Sequence, residues 1–254
     1  MKWIVLHEKR IAAVVCCCAL IAAAAAVTVR STVVAMALAQ NHDYPIRRVQ
    51  TQEKKIALTF DADTDDNEAQ RILDVLQRYQ VKCTFFAAGA WAEKYPQMLR
   101  RIADEGHEIG NHSDTHPHMN KLRQDAALAQ MADCSRKIEA ASGVRPALFR
   151  SPYGEASPEV VRGARSLSMT SVGWDIDSFD WRNYPPMHIA NRVISEVKPG
   201  SIVLFQLGAR NTAAALPRIL TTLQSEGYEM VTVSRLIHQE PCIINETGEQ
   251  IPTG

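Results

Sequence analysis

Short apolar runs alternate with amphipathic segments along most of this chain. Runs such as 54–60 and 81–86 are short and mostly apolar, which is typical of strands buried on both faces of a parallel sheet. Segments such as 124–141 instead repeat apolar residues at the helical period. The two patterns alternate about six or seven times. They predict one α/β domain in which helices cover a parallel sheet.

The amino-terminal segment predicts export. Residues 11–29 carry no charge and are about long enough to cross a bilayer. Lys9 and Arg10 precede them, so the positive-inside rule leaves the amino terminus in the cytoplasm and places the rest of the chain outside the cell. We therefore expect a membrane anchor that carries an extracellular domain. Small-x-small patterns at 35–37 and 37–39 make cleavage there, and secretion, the alternative.

Composition divides the chain into four predicted parts. The segment after the apolar run is polar and is broken by Pro45, so we expect a linker there. The end of the chain is polar and has few apolar residues, so we expect a frayed tail. The predicted parts are a cytoplasmic end with a transmembrane anchor or signal peptide (1–39), a linker (40–53), the α/β domain (54–240) and a polar tail (241–254).

Charge and cysteine content narrow the possible partners. Lys+Arg and Asp+Glu both number 28, so the formal net charge is zero and nothing predicts binding to nucleic acid. Outside the three adjacent cysteines at 16–18, only Cys83, Cys134 and Cys242 remain. Their spacing fits neither a zinc knuckle nor a disulfide framework. We expect a monomer that contacts the membrane through its amino-terminal helix.

Two histidines with ligand spacing follow a short predicted strand. His112 and His116 are four positions apart, so on a helical turn both imidazoles would point at one cation. They stand at the carboxyl end of the strand, where α/β folds collect their chemistry. His107 and His118 lie nearby without that spacing, and no role is assigned to them.

Polar residues also follow the other predicted strands. They are Asp61, Asp63, Arg150, Tyr153, Asp175, Asp177, Asp180, Trp181 and Gln206. Carboxyl ends of parallel strands meet at one edge of a sheet, so we expect these side chains to lie near the histidines. Two imidazoles and a carboxylate hold a divalent ion, a second carboxylate takes a proton from water, and an arginine keeps that carboxylate ionised. The set therefore predicts metal-assisted hydrolysis.

Five separated motifs carry a resemblance to a known family. They are Thr59-Phe60-Asp61, His112-Ser113-x-x-His116, Arg150-x-Pro152-Tyr153, Asp177-Ser178-x-Asp180-Trp181 and the strand Ile202-Val203-Leu204. In order and approximate spacing they resemble the polysaccharide deacetylases, the NodB-homology domain of carbohydrate esterase family 4, over about residues 54–238. The resemblance is nearest to membrane-anchored or secreted cell-wall deacetylases of Gram-positive bacteria. It implies an irregular (β/α) barrel, a divalent metal ion such as zinc, and removal of N-acetyl groups from amino sugars in peptidoglycan or a chitin-like polymer.

Residue roles carry over from the resemblance by position. It implies that Asp61 is the catalytic base and that Arg150 orients and tunes it. It implies that His112 and His116 bind the metal. Tyr153 would line the site and offer its backbone N–H to the oxyanion, while Asp180 and Trp181 would form the far wall of the groove.

Two positions depart from the family pattern. A second aspartate, which binds the metal, usually follows the base, and here that position is Ala62. Asp63 can replace it, because it shares a face with Asp61 in an extended strand. Asp65, Asp66 and a water are the other candidates. The histidine that acts as general acid in the family is replaced by Gln206, which cannot deliver a proton.

Three hypotheses follow from these departures. The first is a metal-dependent N-deacetylase that is slow because Gln206 holds the general-acid position. The second is a catalytically inactive relative that keeps the groove and binds glycan of the cell envelope. The third is a membrane-tethered structural protein without a site, and the retained base, arginine and histidines argue against it.

Overall fold

A computed structural model describes residues 43–239 and 241–253. The predicted anchor or signal segment, 1–39, lies outside the described residues. Within the two described ranges, every helix is too short or too polar to span a bilayer. The described residues belong to one compact unit, His42–Gly254.

Strands and helices alternate through most of the unit, as the apolar pattern predicted. The strands are β1 (Arg48–Val49), β2 (Lys55–Ala62), β3 (Thr84–Ala87), β4 (Glu108–Asn111), β5 (Leu148–Phe149), β6 (Thr170–Ser171), β7 (Ile176–Asp177), β8 (Ile202–Gln206), β9 (Glu229–Met230), β10 (Cys242–Ile244) and β11 (Glu249–Pro252). The α-helices of the described ranges are α1 (Ala69–Arg78), α2 (Gly89–Lys94), α3 (Pro96–Asp104), α4 (Gln124–Ser142), α5 (Pro158–Ser166), α6 (Pro186–Glu196), α7 (Thr212–Ser225) and α8 (Val233–Leu236). Short 3-10 turns lie at Met119–Lys121, Pro152–Gly154 and Asp180–Arg182.

One parallel sheet carries the domain. Its strand order is β6-β5-β4-β3-β2-β8-β7, and β9 pairs with the first residues of β2. The two edge strands, β6 and β7, are consecutive in the chain and are joined by residues 172–175. So short a connection holds the edges near each other, so the sheet curls into an open barrel. This confirms the predicted α/β fold with an irregular barrel.

Alternation along β2 sorts its side chains between two cores. Phe60 faces the helices and stacks between Phe85 and Phe205, with ring centroids 5.1 Å and 5.3 Å away. Asp61 and Thr59 point to the other side, because successive residues of a strand face opposite ways. The central strand therefore presents polar groups to the barrel interior at its carboxyl end.

The two segments expected to be a linker and a frayed tail differ from that expectation. β1 pairs in parallel with β11, which pairs antiparallel with β10, and Val49 and Ile244 are buried. Each strand has only two to four residues. Alternation cannot be recognised over so few positions, and the partners lie at opposite ends of the domain, so the sequence pattern does not reveal this small sheet.

Candidate active site

A buried arginine holds the carboxylate of Asp61 at the end of β2. Arg150 is fully buried, and its Nη1 donates to Asp61 Oδ1 and to Thr59 Oγ1, both at 2.8 Å. Its Nη2 donates to the carbonyl oxygen of Gly173 at 2.9 Å, and Phe86 covers one face of the guanidinium. Burial lowers the pKa of Arg150, and the Asp61 carboxylate opposes that shift. A buried charge is stable only when it is paired, and the Asp61 carboxylate supplies the opposite charge for the Arg150 guanidinium.

His112 presents a single ring nitrogen to the site. Its Nδ1 lies 2.8 Å from the carbonyl oxygen of Arg150. A carbonyl only accepts hydrogen bonds, so Nδ1 carries the proton and Nε2 keeps its lone pair. That is the tautomer a metal ligand needs. Nε2 also lies 3.6 Å from Asp61 Oδ2, so the imidazole and the carboxylate face one point.

His116 and Asp63 complete a cluster around that point. His116 Nε2 lies 3.0 Å from Asp63 Oδ2, and the two histidine rings have centroids 5.0 Å apart. Burial and the neighbouring His112 lower the pKa of His116, which favours the neutral imidazole. One ligand atom from each of Asp63, His112 and His116 lies within 4.8 Å of the others. The structure thus unites the two predicted histidines with one of the candidates for the third ligand.

The cluster fits a divalent cation. Asp63 Oδ1 is buried and has no hydrogen-bond partner within the described ranges, which is unusual for a carboxylate oxygen. Two imidazoles and a carboxylate form a ligand set found in zinc hydrolases, with a position left for water. The domain therefore contains a candidate metal site.

The prediction that the two histidines share a helical turn is wrong. Residues 112–118 form a loop in which Ser113 and His116 adopt left-handed backbone conformations, with φ of 64° and 57°. The Ser113 N–H donates to Asn111 Oδ1 at 2.9 Å, and the His116 N–H donates to Ser113 Oγ at 3.2 Å. Such local side-chain bonds compete with helical ones. A tight turn, rather than helical pitch, brings the rings together.

Ala62 lies away from the cluster. Its side chain is buried in the core between the sheet and the helices, on the face opposite Asp61. Asp63 is two positions beyond Asp61 and reaches His116 directly. Asp65 and Asp66 are not members of the metal-ligand group found in the described part of the chain. Asp63, and not a side chain at position 62, therefore supplies the carboxylate of the cluster.

Asp180 lies beneath the strand end that carries Gln206. Its Oδ2 accepts from the Gln206 backbone N–H at 2.9 Å and from the Thr212 hydroxyl at 2.6 Å. Burial raises the pKa of Asp180 to about 6, although these hydrogen bonds lower it. Its Oδ1 has no partner among the described residues. The Gln206 side chain faces the groove and makes no hydrogen bond to any residue of the described ranges.

An open groove of about 610 Å³ runs over the cluster. Tyr153 and Trp181 line it and expose 57% and 49% of their surface, so aromatic rings are open to a ligand on the groove walls. The predicted site residues that line the groove are Asp61, Asp63, His112, His116, Tyr153, Trp181 and Gln206. Arg150 and Asp180 are buried beneath it. All nine residues to which a role was assigned are therefore in or directly under one groove, whereas the Asp175 carboxylate instead accepts from the Ser201 hydroxyl and the Ile202 N–H.

Trp174 was not predicted as a groove residue from the sequence, and Asp177 was predicted without a role. Trp174 lines the groove and lies 5.5 Å from the Arg150 guanidinium. A Cβ on Gly154 would lie 2.9 Å from its ring, so the glycine lets the indole approach. Asp177 Oδ2 accepts a 3.4 Å hydrogen bond from Trp181 Nε1 and fixes that indole. The sequence could have indicated Trp174 by its position, since it follows β6 as Arg150 follows the neighbouring β5.

The family model described as polysaccharide deacetylase matches residues 48–172. A peptidoglycan-N-acetylglucosamine deacetylase from Bacillus cereus is 34% identical over 76% of this chain and 93% of its own length. The chain belongs to the polysaccharide deacetylase family, as the five motifs suggested.

Two further proteins are similar to this chain. The peptidoglycan-N-acetylmuramic acid deacetylase PdaC from Bacillus subtilis is 37% identical over 74% of this chain, which spans only 40% of PdaC. The crystal structure of a CE4 family pseudoenzyme from Bacillus anthracis matches with a TM-score of 0.75 at 31% identity, over 82% of this chain and 71% of that one. The relatives thus include proteins named as deacetylases and one named as a pseudoenzyme.

Proposed function

We propose that this protein is a metal-dependent N-deacetylase of cell-wall polysaccharide. The observation that carries the proposal is the Asp61 carboxylate, which is ion-paired to buried Arg150 and faces the Asp63–His112–His116 cluster in an open groove. The deacetylase names of the relatives support an N-acetylated amino sugar of peptidoglycan as the substrate.

Asp63, His112 and His116 would hold the metal ion, and zinc suits their nitrogen and oxygen atoms. A bound zinc ion polarises a carbonyl and lowers the pKa of water. The chain's own contribution is to favour the neutral imidazole of His116 and to fix the tautomer of His112 through the Arg150 carbonyl.

Asp61 is the proposed general base. It accepts a proton from the attacking water, and Arg150 holds the carboxylate in place on its other oxygen. The Tyr153 backbone N–H has no hydrogen-bond partner among the described residues, so it is free to donate to the oxyanion that develops on the acetyl group. Tyr153 itself has a φ of 59°, and the conformation of this turn directs the N–H.

Departure of the amine is the slow step in this proposal. The leaving nitrogen needs a proton, which Gln206 cannot supply because it is neutral at every pH, so the proton would come from water in the open groove. A positioned general acid contributes about 100- to 10,000-fold, so its absence predicts a slow enzyme. We further propose that the domain works outside the cell, anchored by residues 11–29 or released by cleavage, since its substrate is there.

Metal content and acetate release test the proposal together. The chain is expected to bind about one zinc ion and to release acetate from N-acetylglucosamine oligomers or peptidoglycan. His112→Ala should abolish metal binding. Asp61→Asn should retain the metal but slow acetate release by about 100-fold or more, the contribution of a general base. Unchanged metal content in the His112→Ala, His116→Ala double variant would refute the site.

A glycan-binding pseudoenzyme is the second candidate. The Gln206 side chain favours it, because glutamine can donate a hydrogen bond to sugar but cannot protonate a leaving group. Glycan binding by both the wild type and Asp61→Asn, with no acetate released by either, would establish this function instead.

A further inference from the structure

The loop between His112 and His116 is held in an unfavourable conformation. Ser113 and His116 both have positive φ, which non-glycine residues adopt only where their surroundings fix it. Neither a helix nor a strand imposes the spacing of the two imidazoles. Hydrogen bonds to the loop backbone must therefore keep the rings in place.

Most backbone N–H groups of the loop are satisfied close by. Those of His112, Ser113 and His116 donate to the neighbouring strand, to the Asn111 side chain or to the loop's own serine. The N–H groups of Asp114 and Thr115, in the middle of the turn, have no such local partner. Their hydrogen bonds come from a different element.

Gln130, on helix α4, is the partner of both groups. Its Oε1 accepts from the Asp114 N–H at 3.0 Å and from the Thr115 N–H at 2.9 Å. Its Nε2 donates to the Thr115 hydroxyl at 3.1 Å, which fixes the orientation of the amide. One oxygen atom thus closes the centre of the turn that separates the two histidines.

Helix α4 also holds the outer side of the turn. Lys137 Nζ lies 3.0 Å from Asp114 Oδ1 and 3.0 Å from Glu93 Oε2. On the inner side, the N–H groups of Gly89 and Ala90 donate to the carbonyl oxygens of Ser113 and Asp114 at 2.9 Å and 2.8 Å. Hydrogen bonds from α2 therefore hold the carbonyl groups of the turn, and Gln130 holds its two central N–H groups.

We propose that Gln130 is a positioning residue for the metal site, setting the separation of His112 and His116 through the backbone between them. The proposal rests on the metal-binding role of the Asp63–His112–His116 cluster. Gln130 is not a member of that cluster. Its effect resembles that of groups that orient metal ligands, whose loss weakens metal affinity by about 10- to 100-fold.

Three variants of the full chain test this role. Gln130→Ala removes the acceptor, Gln130→Glu keeps an acceptor oxygen of the same reach, and Gln124→Ala makes the same exchange at an exposed position of the same helix. Zinc dissociation constants are measured by competition with a chromogenic chelator, and thermal unfolding of the metal-free proteins is followed by circular dichroism. We expect Gln130→Ala to weaken zinc binding about tenfold or more, and Gln130→Glu and Gln124→Ala to bind like the wild type.

The outcomes separate the two proposals. Equal zinc affinity for Gln130→Ala and Gln124→Ala would overturn the positioning role and leave the metal site standing. A wild-type chain that binds no zinc would overturn both. A metal-free Gln130→Ala chain that does not fold, while Gln130→Glu folds, would make Gln130 a residue of the fold and overturn the positioning role as well.

Discussion

The ion pair between Arg150 and Asp61 lies in the interior, where solvent does not screen it. Arg150 is fully buried and Asp61 is 4% exposed. Exposed pairs contribute about 0–1 kcal/mol, whereas removal of one partner from a buried pair leaves an uncompensated charge. The pair therefore links the stability of the domain to the integrity of its proposed catalytic base.

Arg150→Met should lower the free energy of unfolding by about 3–5 kcal/mol, because Asp61 is left as an unpaired buried carboxylate. Urea unfolding measures the change. Arg218→Met, at an exposed position, is the matched control and should change stability by less than about 0.5 kcal/mol. Combining Arg150→Met with Asp61→Asn should destabilise less than Arg150→Met alone. Strictly additive losses would show that the pair is not coupled.

Gln206→His should raise kcat. Asp180 lies directly under this position and has a free Oδ1 that can accept from an imidazole. The gain expected is about 100-fold, the lower end of what general acid catalysis supplies. KM should change little, because both side chains can donate a hydrogen bond. A flat rate in Gln206→His, in a protein that Asp61→Asn still inactivates, would mean that another group supplies the proton.

Asp180 should make stability fall with rising pH. Burial raises its pKa from 3.8 to about 6, so the folded state holds a proton that the unfolded state has already released. The free energy of unfolding then falls between about pH 4 and pH 6, by about 3 kcal/mol for a shift of this size, and is flat outside that window. Asp180→Asn cannot ionise and should lack this component. The stability difference between wild type and variant, measured by urea unfolding across this range, should therefore depend on pH; a constant difference would contradict the assignment.

At the scale of elements, the apolar period predicted long elements well and short ones poorly. Helix α4 was expected over 124–141 and ends one residue later, where Gly143 adopts a φ of 75°. The segment 170–175 contains only the two-residue β6 before the connection to β7, and two positions are too few to show a period. Helix α2 was not predicted, because six residues are too few to establish a helical period.

The small sheet of β1, β11 and β10 should contribute to the stability of the domain. Ile244 is 6% exposed and packs in the same buried cluster as Val49 and Ile202. The adjacent Ile243 points the other way and is only half-buried. Ile244→Ala should lower the free energy of unfolding by about 2 kcal/mol, the lower limit for a buried isoleucine. Ile243→Ala is the matched control and should lower it less. Equal, negligible effects would mean that the tail is frayed after all.

At the scale of the whole molecule, the parallel arrangement of the strands explains why the groove residues could be predicted. A parallel sheet brings every carboxyl end to one edge, so residues that follow different strands must meet there. Trp174 and Gln130 act through contacts between segments that are separated in the chain, which no local period encodes. The conformation of the histidine loop was not predicted for a related reason. Ser113 and His116 adopt positive φ, and their residue types do not indicate it.

The proposed orientation concerns the full chain. We propose that the uncharged run 11–29, after Lys9 and Arg10, leaves the domain outside the membrane. Protease added to intact cells should therefore digest the domain, while a cytoplasmic marker protein stays intact. Protection of the domain under those conditions, with digestion restored after lysis, would reverse the orientation.

The free side chain of Gln206 has an evolutionary consequence. It makes no hydrogen bond to the described residues, while the buried carboxylate beneath it binds the backbone N–H that any amino acid at this position except proline supplies. Exchange of glutamine for histidine there breaks none of the hydrogen bonds made within the described residues. If Gln206 slows turnover as proposed, a lineage with this architecture could lower its turnover, keep the fold, and raise turnover again later by a single substitution.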